Sequence, residues 1–126
     1  MSGFRFEKLD VWHRAVEFAD AVYDATSHFP SDERFGLTSQ MRRAAVSVSS
    51  NIAEGSGRAS DRDFGRFVEI AYGSLMEVVS QQFIALRRDF IPKQTFDRIY
   101  QQADEVARML SGLKAHLERG TGKVES

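Results

Sequence analysis

The sequence predicts an all-α protein, an antiparallel up-down four-helix bundle. Three observations predict it. Apolar residues recur every three or four positions in four long stretches. No stretch alternates with a period of two for long enough to make a strand. The connections between the stretches are short and contain both prolines, Pro30 and Pro92, and short connections join antiparallel neighbours. A chain of 126 residues suits one domain with one core, so residues 1–126 read as a single domain.

The first helix is expected over 10–28, with Asp10 as its N-cap and Trp12, Ala15, Val16, Ala19, Val22 and Tyr23 at helical spacing. "FPSDERFG" ends it. The second is expected over 37–54, with Leu37, Met41, Ala44, Ala45, Val48 and Ile52 on one stripe. Gly55 and Gly57 read as its stop, because glycine takes the left-handed C-cap at little cost. Ser60 then caps a third helix over 61–89, with Asp63 placed as in a capping box. Its stripe is Phe64, Val68, Ala71, Leu75, Val78, Val79 and Leu86. After "DFIPKQ", a fourth helix over 94–118 carries Phe96, Ile99, Ala103, Val106, Leu110, Leu113 and Leu117, which alternate by three and four. The polar tail 119–126 reads as frayed.

Composition excludes several classes. Hydrophobic residues make up 42% and charged residues 28% of the chain, as in ordinary globular proteins. The net charge of -1 does not point to nucleic acid or an anionic membrane, so any basic patch is local. There is no cysteine, hence no disulfide framework, thiolate metal site or cysteine nucleophile. The start lacks a signal-peptide core. The longest uncharged run, 44–53, is far shorter than the roughly 20 residues of a membrane span. The expected location is the cytoplasm, with no membrane partner.

Helices two and three read as covered on both sides. Beside the apolar stripe of helix two runs a polar seam of Gln40, Arg43, Ser47, Asn51 and Glu54. Its far face holds Ser39, Val46, Ser50 and Ala53, with Arg42 and Ser49 at its margin, small and nearly uncharged where a solvated face is dense in Lys and Glu. Behind the stripe of helix three lie Gly73, Met76, Ser80 and Ile84, with Arg66, Glu69 and Glu77 between them. A mid-helix glycine costs about 1 kcal/mol relative to alanine, so Gly73 implies a close neighbour. Of these, Val46, Ser50, Ala53, Gly73, Met76, Ser80 and Ile84 are the expected subunit interface. The seam reads either as a structural network, with Arg43 meeting Glu54 or a carboxylate of another helix, or as a ligand site.

No constellation for catalysis is present. His13, His28 and His116 stand apart, without the repeated Glu-x-x-His of helical di-iron sites. "EGSGR" lacks the lysine and spacing of a P-loop. Serines have no placed base. The sequence therefore reads as non-enzymatic, with no cofactor and no metal. Residues 37–66 hold five arginines against three acids, a local excess of two positive charges. Arg42, Arg58, Arg62 and Arg66 are the candidate nucleic-acid contacts, since arginine suits bidentate phosphate binding.

The chain resembles the four-helix bundle proteins of intervening sequences in bacterial 23S rRNA genes. The matching blocks are "FEKLDVWHRAVEFADAVYDAT", "FPSDERFGLTSQMRRAAVSVSSNIAEGSGR", "FVEIAYGSLMEV" and "EVARMLSGL". The resemblance implies a left-handed up-down bundle assembling as a ring of five, with no settled biochemical activity. A more distant likeness, to the accessory variability determinants of diversity-generating retroelements, implies binding to nucleic acid and a reverse transcriptase. Those relatives are markedly basic and this chain is not. Carried over, the family motif marks Gln40, Arg43, Ser47, Asn51, Glu54 and Gly55, then Gly73, Ser74 and Glu77. Ser49 stands where many relatives carry proline, which implies a straighter second helix.

Two functions are thus expected. One is a homo-oligomeric, pentameric interaction or scaffold protein partnered by itself. The other is a nucleic-acid or ribonucleoprotein accessory factor that binds RNA or DNA, or a nucleic-acid enzyme, through the arginines of helix two and the following turn.

Overall fold

A computed structural model describes residues 3–125. Four α-helices form it: α1 (Asp10–Thr26), α2 (Leu37–Ser56), α3 (Asp61–Arg87) and α4 (Lys93–Glu125). Single 3-10 turns at Arg5–Lys8 and Ser31–Glu33 precede α1 and α2. No strand occurs among the described residues.

The helix ends follow local chemistry, in part differently from the sequence reading. Leu9, not Asp10, is the N-cap of α1, and it supplies no side-chain acceptor. Asp10 instead opens the helix, where the dipole favours a carboxylate. α1 stops at Thr26, whose hydroxyl donates to Val22 O at 2.7 Å, rather than at residue 28. Glu33 caps α2 from outside: its Oε1 accepts from the Leu37 N–H at 3.1 Å. Ser60 caps α3 as expected, its side chain accepting from Asp63 N at 3.1 Å.

α3 ends at Arg87, two residues early, in a Schellman turn. Phe90 N donates to Ala85 O at 2.8 Å and Asp89 N to Leu86 O at 3.0 Å, with Asp89 at φ 60°. α4 begins one residue early, after Pro92, and runs on to Glu125 instead of stopping at 118. Each residue added to an existing helix gains a hydrogen bond, and glycines at 120 and 122 do not end this one. Ser126 lies outside the described residues.

The two glycines expected to stop α2 do different things. Gly57 is the C-cap, but at φ -89° it is not left-handed. Gly55 lies inside the helix, buried. A Cβ there would sit 2.6 Å from Phe67 Cβ and 2.9 Å from Phe64 Cδ1. Here α2 and α3 approach closely, since only a missing Cβ makes room for Phe67.

The helices pack as a bundle: α2 lies against α1 and α3, α4 lies against the same two, and the backbones of the diagonal pairs stand farther apart. One apolar core runs through all four. The stripes of α2, α3 and α4 are buried largely as the sequence predicts, with Met41, Val48, Ile52, Phe64, Leu75, Ile99 and Leu110 at 0–1% exposure. The α1 stripe is rotated. Val11, Ala15, Phe18, Val22 and Ala25 are buried, while Val16 and Tyr23 are 39% and 43% exposed. Spacing of four, three, four and three fits the heptad seam, and Val16 and Tyr23 each lie one residue, about 100°, off it.

Candidate functional site

The polar seam lies where α2 meets α3. Asn51 Nδ2 donates to Ser47 O at 2.8 Å and to Ser47 Oγ at 2.9 Å. With Ser47 Oγ accepting there, its own O–H is free to donate to Ser74 Oγ, 2.8 Å away on α3. One and two turns away, Gln81 Nε2 donates to Glu77 Oε2 at 3.3 Å and to Gln40 Oε1 at 3.4 Å. Gln40, Ser47, Asn51 and Glu77 therefore belong to hydrogen bonds that join or flank the two helices, together with Ser74 and Gln81. Arg43 and Glu54 do not. Glu54 pairs with Arg58 at 3.0 Å rather than with Arg43, and Arg43 is exposed with no ion-pair partner among the described residues.

The candidate arginines divide. Arg42 is half-buried and holds the end of α1. Its Nε donates to Thr26 Oγ1 at 2.8 Å and an Nη to Tyr23 O at 3.3 Å, with the guanidinium 4.6 Å from the Tyr23 ring centre. A cation beside terminal carbonyls is favoured there. Arg58 is held by Glu54 and lies 4.6 Å from the Phe67 ring centre. Arg66 reaches Asp63 at 3.8 Å with its side chain 75% exposed, so this pair binds it weakly. Arg62 is exposed and its side chain makes no hydrogen bond or ion pair among the described residues. The structure thus leaves Arg62 and Arg66, one turn apart on α3, facing water.

The outer faces of α2 and α3 are open. Val46, Ser50, Gly73, Met76, Ser80 and Ile84 are exposed and Ala53 is half-buried. A Cβ on Gly73 would meet nothing within 4 Å, so no helix of the same chain is the close neighbour the sequence reading asks for. The apolar face is broader than the sequence reading has it. Ile70, Phe83 and Ile84 are each more than half exposed, and Tyr72 and Met76 nearly two-fifths. Tyr72, Met76, Val79 and Phe83 follow one another by four, three and four. This is a second heptad stripe on α3, legible from spacing beside the inner stripe. Across the groove, Tyr100 of α4 stands 6.3 Å from Phe83, ring to ring. Lys114 of α4 closes the far end of this groove on Glu69 at 2.9 Å, and that hydrogen bond, with Glu118 adding to it, holds the ammonium above its ordinary range.

Among the described residues no group of acidic or histidine side chains could hold a metal ion. None of their helices is long and apolar enough to cross a membrane.

The arrangement of core, seam and outer stripe now has a family context. The model of the 23S rRNA-intervening sequence protein family matches residues 7–112. The chain belongs to that family. No curated protein matches it. A crystal structure from Bacteroides thetaiotaomicron VPI-5482, described as a protein with unknown function from the S23 ribosomal protein family, superposes with a TM-score of 0.77 at 21% identity. The match covers 82% of this chain and 97% of that one, which extends the fold over nearly all of the solved structure. Neither description names an enzymatic activity.

Proposed function

We propose that this 23S rRNA-intervening sequence family protein is a non-enzymatic, cytoplasmic scaffold that acts as a homo-oligomer, a ring of five. The subunit in this reading is one left-handed, antiparallel up-down bundle. Contacts between α2 and α3 support the antiparallel part: Gln40 meets Gln81, Ser47 meets Ser74 and Gly55 meets Phe67, so rising numbers on one helix pair with falling numbers on the other.

The observation that carries the assembly is the outer stripe of α3. Tyr72, Met76 and Phe83 are exposed along the groove that α3 makes with α4, and Ile84 is exposed one residue beyond Phe83. Exposed apolar residues in one contiguous band mark an interaction surface, whereas scattered ones do not. The nucleic-acid reading has less to stand on, because Arg42 and Arg58 already serve the fold.

Light scattering after gel filtration tests the proposal. A pentamer of this 14.2 kDa chain has a mass of about 71 kDa, five times the subunit mass. Met76→Glu with Ile84→Glu places two charges on the exposed band and is expected to give a folded monomer. A wild-type protein that is monomeric throughout micromolar dilution overturns the assembly.

A further inference from the structure

A cleft of about 440 Å³ opens at one end of the bundle, between the last turn of α1, the α3–α4 turn and the first turns of α4. That volume lies in the range of small-molecule sites, which form readily between the helices of bundles. The floor is apolar, built from the buried side chains of Ala25, Ile91 and Ile99. The wall is fixed from two directions. The Phe90 N–H is held by Ala85 O at 2.8 Å, and the Phe90 ring packs on Phe29 with centres 5.4 Å apart. The cleft is therefore preformed by the Schellman turn and the core.

Four polar side chains border that floor: Asp24 and His28 from the end of α1, Thr95 and Arg98 from α4. None of the four makes a side-chain hydrogen bond or an ion pair among the described residues. Neighbouring charges do pair, as Lys93 does with Asp97 at 2.6 Å. Asp24 and Arg98 instead stay apart, one on each helix, over a shared apolar surface. A carboxylate and a guanidinium that do not neutralise each other can together accept a molecule of both charges.

We infer that this cleft binds a small zwitterion with an apolar body, an α-amino acid with an aliphatic or aromatic side chain. Arg98 takes the carboxylate, for which its planar fork is suited, and His28 and Thr95 offer further donors. Asp24 takes the ammonium group. The apolar side chain covers Ala25, Ile91 and Ile99. The site is independent of the outer α2 and α3 faces, so it stands or falls apart from the assembly.

Three matched probes test it on the full chain by amide chemical shifts: L-phenylalanine, 3-phenylpropionate and phenethylamine. L-Phenylalanine is expected to shift residues 24–28 and 90–98 saturably, and to bind more tightly than either single-charge probe. Arg98→Gln is expected to weaken L-phenylalanine and 3-phenylpropionate by about ten-fold, the loss of one charge-assisted pair, and to leave phenethylamine unchanged. Asp24→Asn is expected to weaken L-phenylalanine and phenethylamine and leave 3-phenylpropionate unchanged. Both side chains are exposed and without a partner among the described residues, so both variants should melt like wild type. No saturable shift with L-phenylalanine up to about 20 mM, far above a useful affinity, overturns the site. Equal affinity for L-phenylalanine and 3-phenylpropionate overturns its assignment to zwitterions.

Discussion

Gly55 shows how much a single missing methyl can decide. Its place before Gly57 made it look like a helix stop, since glycine near a helix end has an obvious local use. The reason for it is instead on the partner helix, where Phe67 Cβ would lie 2.6 Å from an added Cβ. Phe67 Cβ is tied to its backbone and cannot swing away, so α3 itself must shift. Gly55→Ala should therefore destabilise by about 2 kcal/mol, overpacking outweighing the gain in helix propensity, and urea unfolding reads this directly. Asp89 is the opposite case. It takes φ 60° at the end of α3 and its side chain makes no hydrogen bond among the described residues. Asp89→Gly should raise stability by about 0.5–1 kcal/mol, relief of the left-handed strain exceeding the added chain entropy of glycine. Neither residue can be read correctly from its neighbours in sequence. Both depend on where the chain goes next: Gly55 on α3, Asp89 on the turn into α4.

At the scale of the helix, periodicity made three of the four elements legible. The stripes of α2, α3 and α4 are long enough for their phase to be unambiguous. The phase of α1 is ambiguous in the sequence because apolar residues occupy adjacent positions, Val11–Trp12, Ala15–Val16 and Val22–Tyr23, so two stripes one residue apart fit nearly as well. Phe18 decides between them: fully buried, it belongs only to the stripe through Val11, Ala15 and Val22. α3 raises a different problem, since it carries two apolar stripes, and the second only edges the core, with Val79 packed against it and Phe83 4.9 Å from the buried Phe96 ring. Gly73 lies between the inner and outer worlds of that helix. An added methyl meets nothing within 4 Å in the subunit, so Gly73→Ala should stabilise an isolated subunit by about 1 kcal/mol through helix propensity. If the outer face of α3 is a subunit contact, the same change should weaken assembly. Melting of a monomeric Met76→Glu/Ile84→Glu background, beside dilution of the assembled protein with and without Gly73→Ala, separates the two effects. A gain in both would mean that no helix approaches Gly73 closely in the oligomer.

The whole molecule sets the limit on nucleic-acid binding. Its net charge is -1 and residues 1–36 carry seven acids against four basic residues, so the long-range field does not draw a polyanion. The local arginines are not equivalent, which only the tertiary structure reveals. Arg42 uses its Nε and one Nη on the last turn of α1, and Arg58 pairs with Glu54. Releasing Arg42 to a phosphate would leave the Tyr23 carbonyl and the Thr26 hydroxyl without that donor. The two kinds of arginine should therefore separate in experiment. Arg42→Gln should lower the melting temperature by a few degrees, about 1 kcal/mol for a chain of this length, without altering whatever weak affinity for structured RNA exists at low salt. Arg62→Gln with Arg66→Gln should leave melting unchanged and abolish that low-salt affinity. The dependence of log K on log salt should fall by about 0.7–0.9 for each phosphate contact removed. A wild-type slope that drops on Arg42→Gln, with melting unaffected, would mean that the α1 clasp opens on nucleic acid and that Arg42 is a binding residue after all.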